Sequence, residues 1–226
     1  MTKISFCGIS GSGMSALAQI RLHQGYEVRG SDRSFDQGKD QSNKQALEKL
    51  GIKIYPQDGS AITDDLDVLY VSTAVEDTIP DVKAALGKNI PIRKRSDLLA
   101  DIFHGYGHNI AVGGTSGKTT VTAMIGYILD RLGQKPCMID GGLLLNYADR
   151  EGIPNIIYNE GDICVIEADE SDGSIEKYHP YVALINNISI DHKPIPELQK
   201  LFQDFADRAK QGVAVNADGE ACRNIR

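Results

Sequence analysis

AVGGTSGKTT, residues 111–120, joins an apolar run to a long helical pattern through a glycine turn. A strand, a glycine-rich loop and Lys-Thr-Thr at the head of a helix form a layout that grips phosphate. Residues 112–119 depart from the strict G-x-x-x-x-G-K-[ST] pattern only in carrying Val112 where its first glycine belongs. The mechanical parts are present all the same. Backbone N–H groups from Gly114 through Thr115, Ser116 and Gly117 to Lys118 can turn toward phosphate oxygens, and the helix behind them presents its positive end. Lys118 can reach the outer phosphates, and the Thr119 hydroxyl can bind Mg2+. The stretch predicts a nucleoside triphosphate site, with ATP as its ligand, in an α/β domain.

Acids at neighbouring strand ends should then hold the metal. VIEADESD places Glu167, Asp169, Glu170 and Asp172 at the end of an apolar strand, and NNISIDH places Asp191 and His192 after another. Mg2+ takes oxygen ligands and keeps several waters, so one or two carboxylates suffice. Ligands of open parallel sheets collect beyond the C-terminal strand ends, where these residues fall.

Strand-like and helical patterns alternate on both sides of this loop, which predicts parallel sheets covered by helices. Strands are expected at 3–9, 26–32, 52–55, 67–75 and 90–92, with helices at 14–24, 44–51, 79–87 and 96–103, the last capped by Ser96. HGYGHN (104–109) reads as a hinge. Strands are then expected at 135–140, 162–170, 181–188 and 212–218, with helices at 119–133 and 196–210. The predicted domains are 1–107 and 108–226.

A second glycine loop, GISGSGMSA (8–16), follows the first strand. Gly11-x-Gly13-x-x-Ala16 fits a dinucleotide fingerprint, and Asp32 ends the next strand where an acid can accept ribose hydroxyls. Gly8-x-x-Gly11-x-Gly13 fits equally well and suits another diphosphate, such as a UDP-sugar. The loop indicates a pyrophosphate and leaves the rest of the ligand open: an NAD oxidoreductase and a non-catalytic nucleotide-binding module both remain alternatives.

Composition narrows the field. The net charge is −7 with scattered Lys and Arg, so no basic stripe argues for nucleic acid. No apolar run approaches the ~18 residues of a membrane helix. The four cysteines are far apart, three of them in strand-like runs, which suggests buried thiols in a reducing cytoplasm.

The motifs in order resemble the Mur ligases of peptidoglycan synthesis. GISGSGMSALA is similar to that family's N-terminal loop. GSD (30–32), VSTAV (71–75) and RSDLLADI (95–102) fall where the family has related strings, and GGTSGKTTVTAM matches its phosphate loop. EADESDGS (167–174) is the most specific match, followed by INNISIDH and GVAVNADGE. The resemblance implies a Rossmann-like N-terminal domain for the UDP-substrate and a P-loop ATPase domain after it. It implies that Gly8, Gly11, Ser12, Gly13, Met14 and Ser15 hold the UDP-sugar diphosphate, with Asp32, Ser72 and Arg95 nearby. Gly114, Lys118, Thr119 and Thr120 would hold ATP phosphates. Glu167 and His192 would hold Mg2+, with Glu170 as the rival carboxylate, and Asn187 would lie near metal and substrate.

The implied reaction joins an amino acid, L-alanine in the branch the motifs match best, to UDP-N-acetylmuramate through an acyl phosphate. A murein-peptide recycling ligase is the sibling alternative, because Ser116 stands where alanine-adding members carry histidine. Family members have a third domain, whereas this sequence ends soon after the VNAD strand. The central domain is therefore expected to be incomplete and the 226 residues alone inactive in amide formation.

Overall fold

The computed structural model describes residues 1–72, 76, 78–190 and 193–225. Two compact units emerge: Met1–Leu99 with Leu143–Ile156, and Ala100–Gly142 with Ile157–Arg226.

The first unit runs β1 (Lys3–Cys7), α1 (Ser12–His23), β2 (Glu27–Ser31), α2 (Arg33–Asp36), α3 (Gln41–Lys49), β3 (Lys53–Tyr55), β4 (Val68–Val71), α4 (Pro80–Gly87) and β5 (Ile92–Lys94). Helix α5 (Arg95–His104) follows. The sheet order is β3-β2-β1-β4-β5, and every pair is parallel. The chain builds outward from β1 to β3, then crosses to β4 on the other side. That reversal falls between the C-terminal ends of β1 and β4, the place where such sheets take ligands. Strand β1 buries Ile4, Phe6 and Cys7 without polar alternation because both sheet faces are covered.

The second unit continues with β6 (His108–Gly113), α6 (Lys118–Arg131), β7 (Cys137–Ile139), β8 (Ile156–Ile157), β9 (Ile163–Glu167), β10 (Val182–Ile185), α7 (Ile195–Asp207) and β11 (Gly212–Val215). Its sheet order is β11-β10-β6-β9-β7-β8. Strand β6 pairs in parallel with β10 on one side and β9 on the other. The loop after β6 therefore emerges mid-sheet, with the ends of β9 and β10 flanking it.

Most strands stop short of the apolar runs that mark them. Ile9 is fully buried yet lies in the turn after β1, where the Gly8 and Ile9 N–H groups both donate to the Ser31 carbonyl. The expected strand end at 73–75 lies outside the described residues. Helix α5 starts at Arg95, which puts Ser96 inside its first turn instead of at the cap. All four cysteines are buried free thiols, and burial pushes Cys7 up to about 12. Among the described residues no helix is long and apolar enough to cross a membrane.

The sequence pattern gave no sign that residues 143–156 pack into the first unit. Their anchor is polar and buried. Gln19 of α1 donates through Nε2 to Asn155 Oδ1 at 2.9 Å and accepts the Ile153 N–H at 2.9 Å. Asn155 Nδ2 in turn donates to the Ser12 carbonyl at 2.8 Å and to Ser15 Oγ at 3.1 Å. Gln19 and Asn155 are each 1% exposed. Gln19→Ala would leave the Ile153 N–H and Asn155 Oδ1 without partners in a dry setting. Each such group costs about 1–3 kcal/mol, so a loss of about 2–4 kcal/mol is expected in urea unfolding. A change below about 0.5 kcal/mol would show that the pair adds nothing net.

Candidate functional site

In the first unit, α1 begins at Ser12 with Gly11 as its cap, which supplies no side-chain acceptor. The N–H groups of that first turn are left for an outside anion. Arg95 crosses this turn: a Cβ added at Gly13 would lie 3.1 Å from its guanidinium nitrogen. Ser72 lies across the crevice from Gly8, 4.0 Å from where a Gly8 Cβ would be. Gly8, Gly11, Ser12, Gly13, Ser72 and Arg95 are thus brought around one crevice.

Other residues expected there have structural duties. Met14 and Ser15 are 2% and 1% exposed, so Met14 can offer a ligand only its backbone. The Asp32 carboxylate caps α2 through the Ser34 N–H at 2.8 Å and braces the loop through the Ser10 N–H at 2.8 Å. Each oxygen accepts one of these bonds, so the carboxylate keeps further acceptor positions.

In the second unit, the loop from Gly114 to Gly117 turns sharply between β6 and α6. Gly117 caps α6 with φ +74°, a left-handed conformation that glycine adopts without strain. Lys118 opens the helix, and its Nζ donates to the Gly114 carbonyl and to Glu170 Oε2, each at 2.8 Å. The pair is mostly buried, with side chains 15% and 6% exposed. Thr119 Oγ1 donates to Glu167 Oε2 at 3.0 Å, and the Gly141 N–H donates to Glu167 Oε1 at 2.6 Å. Thr120 is exposed on the same turn.

Asn187, after β10, latches the loop. Its Oδ1 accepts from Thr115 Oγ1 at 2.8 Å and from the Ser116 N–H at 3.0 Å. Its Nδ2 donates to the Ser116 carbonyl at 2.8 Å, where Asn186 Nδ2 also donates at 3.0 Å. The Thr115 N–H donates to the Asn187 carbonyl at 3.1 Å. The amides of Thr115 and Ser116, expected to face phosphate, are therefore held by Asn187. The first-turn amides from Lys118 to Thr120 have no carbonyl ahead of them in the helix and remain for an anion.

The two rival acids are separated by geometry. Strand β9 ends at Glu167, so Glu167 faces Thr119 while Glu170, beyond the strand end, pairs with Lys118. Thr119 and Glu167 form an oxygen-only donor set, the chemistry that suits Mg2+. His192 and Asp191 lie outside the described residues.

Two residues escaped the sequence reading. Asn186 braces the loop beside Asn187. Asp140 follows β7 one rung beyond Ile139, which registers with Ile166, so its carboxyl meets that of Glu167. Burial, and then the adjoining Glu167 carboxyl, push Asp140 up to about 8. An acid closing the short apolar run CMI before Gly-Gly was the available signal.

The profile described as "Mur ligase family, catalytic domain" matches residues 3–106, and "Mur ligase middle domain" matches 112–195. Together they take in most of the sequence. The chain belongs to the Mur ligase family. The UDP-N-acetylmuramate–L-alanine ligase of Persephonella marina is 37% identical to it over 228 residues, covering 98% of this chain and 47% of the relative. The enzyme of the same name from Streptomyces avermitilis is also 37% identical, covering 100% of this chain and 48% of the relative. This Mur ligase chain thus spans about half the length of the curated relatives it matches. Among solved structures, the UDP-N-acetylmuramate-alanine ligase MurC of Thermotoga maritima superposes with TM-score 0.86 at 28% identity, covering 100% of this chain and 51% of that one. The UDP-N-acetylmuramate:L-alanyl-gamma-D-glutamyl-meso-diaminopimelate ligase of Neisseria meningitides gives 0.82 at 26% identity, covering 100% and 74%. The α/β architecture expected from the sequence is the one these Mur ligases share.

Proposed function

We propose that this Mur ligase chain serves ATP-dependent amide formation on UDP-N-acetylmuramate, in the cytoplasm, for peptidoglycan synthesis. The crevice after β1 and β4 holds the UDP-sugar diphosphate on the first turn of α1, with Arg95 closing over it. Unit 1 corresponds in function to the predicted substrate domain, 1–107, and the loop after β6 to the ATPase domain, 108–226. Mg2+-ATP, when bound, would supply the phosphoryl group: the substrate carboxylate takes it up with release of ADP to give an acyl phosphate, and an incoming amine then attacks the acyl carbon and displaces inorganic phosphate to form the amide.

The protein's own part in that step is positioning and charge neutralisation. Lys118 and the first-turn amides of α6 offset charge on phosphoryl oxygens. Thr119 and Glu167 orient the metal, with His192 completing the expected set. The observation that carries this reading is the Thr119–Glu167 hydrogen bond beside Lys118, at a phosphate loop set mid-sheet. L-alanine is the proposed amine, as the names of the 37%-identical relatives suggest.

Calorimetry with UDP-N-acetylmuramate and NAD tests the first loop. Saturable binding of the UDP-sugar without NAD binding is expected. NAD binding with no response to the UDP-sugar would replace this reading with an oxidoreductase one.

A further inference from the structure

The turn after β9, ADESDGS (168–174), is tied down by its own acids. The Ala168 N–H donates to the Val112 carbonyl at 2.9 Å, which fixes the start of the turn to the end of β6. Asp169 Oδ1 accepts the Ser171 N–H at 2.9 Å and the Ser171 hydroxyl at 2.7 Å. The Asp169 carbonyl accepts the Ile175 N–H at 3.1 Å. Asp172 Oδ1 accepts the Ser174 N–H at 2.8 Å. Side-chain bonds of this kind to the backbone two residues on close tight turns. Asp169 and Asp172 thereby hold the chain on both sides of Glu170.

Glu170 is buried on this turn, and its Oε2 accepts from Lys118 Nζ at 2.8 Å. The same ammonium donates to the Gly114 carbonyl at 2.8 Å. An ammonium carries three donors. Two fixed acceptors therefore set the direction of the third, which is the one left for a phosphate oxygen. With the Gly114 carbonyl alone, the ammonium would be free to turn about that single bond. A lysine side chain has much rotamer freedom to lose, and a cation held in place beforehand spares the ligand that cost. A turn bonded on both sides of Glu170 favours a fixed brace over an acid that swings aside when ATP arrives.

We propose that Glu170 is a positioning residue: it holds the Lys118 ammonium in the direction in which that ammonium meets the ATP phosphates. The inference rests on the reading of 111–120 as a phosphate loop. It gives Glu170 a role that acts through Lys118 and not through a metal. It also gives the other acids of the string a task, since Asp169 and Asp172 fix the turn that carries the brace.

Calorimetric titration with ATP, once with Mg2+ and once with EDTA, tests this. Glu170→Ala is expected to weaken ATP binding about 3- to 10-fold in both buffers. Glu170→Gln, whose amide oxygen still accepts from Lys118, should bind at least as tightly as the unsubstituted protein. In a Lys118→Met background, Glu170→Ala should change affinity by less than about twofold, because the brace then has nothing to hold. Glu170→Ser serves if Glu170→Ala does not fold, with circular dichroism as the check. Unchanged or tighter binding in the folded Glu170→Ala protein would overturn the proposal, the tighter case marking Glu170 as a competitor of phosphate. A loss seen only with Mg2+, or equally large in Glu170→Gln, would overturn it in favour of a metal ligand. A full loss that persists in the Lys118→Met background would show that Glu170 acts independently of Lys118. If Lys118→Met itself leaves ATP affinity unchanged, or the unsubstituted protein binds no ATP, the phosphate-loop reading falls and the brace falls with it.

Discussion

Lys118→Ala is expected to weaken ATP binding about tenfold to more than a hundredfold and also to destabilise the protein, for two separable reasons. The first is loss of a cation from the phosphate loop. Hydrogen bonds to charged groups are worth about 1.5–3 kcal/mol each, so affinity should fall about tenfold to more than a hundredfold. The second reason lies in the protein itself. Lys118 holds Glu170 at 2.8 Å, and Glu170 is 5% exposed. Removing the lysine leaves a buried carboxylate uncompensated, which typically costs about 3–5 kcal/mol. The double variant Lys118→Met with Glu170→Gln removes both charges at similar volume. Its urea midpoint should return close to that of the unsubstituted protein, while ATP binding stays weakened. Unchanged ATP affinity in Lys118→Ala would remove the phosphate-loop assignment. A destabilised double variant would show that the ion pair itself, not the unpaired acid, sets the cost.

The behaviour of Lys118 and Glu170 marks where sequence reasoning stops. The strand before AVGGTSGKTT and the helix after it follow from local pattern, since apolar runs and glycine turns are short-range signals. The choice between Glu167 and Glu170 is three-dimensional. Strand β9 stops at Glu167, and the direction of the chain beyond that point decides which acid meets Thr119 and which meets Lys118. Asp32 shows the opposite case. Its cap on Ser34 is a local motif, an acid just before a short helix, and that structural duty stands beside the ligand role that its position after the fingerprint glycines suggests. The packing of 143–156 was not legible because it depends on Gln19 and Asn155, which are 136 positions apart and belong to no periodic pattern. Asp140 was overlooked for a related reason: a single acid after a short strand gains meaning only when its neighbour across the sheet is known.

Asn187→Ala carries the second large effect, and it separates two roles for that residue. Proximity to metal and substrate is what the family resemblance implies. The geometry adds a latch, because both polar atoms of the side chain engage Thr115 and Ser116. Gly114 shows how tightly the loop is drawn onto this residue: at φ +139°, a Cβ there would sit 3.1 Å from the Asn187 backbone nitrogen. Loss of three hydrogen bonds at a half-buried site should cost about 1–3 kcal/mol in stability. It should weaken ATP binding about 10- to 100-fold, because ordering a loosened loop then falls on the ligand. Hydrogen exchange on the nucleotide-free protein distinguishes the roles. The Ser116 amide donates to Asn187 Oδ1, so a latch predicts faster exchange at Ser116 in Asn187→Ala before any ligand is added. A residue that acts only by touching ligand would leave that exchange unchanged and lower affinity alone. Weaker ATP binding with unaltered Ser116 protection would therefore count against the latch, and Asn186, which donates to the same carbonyl, would be the residue left holding the loop.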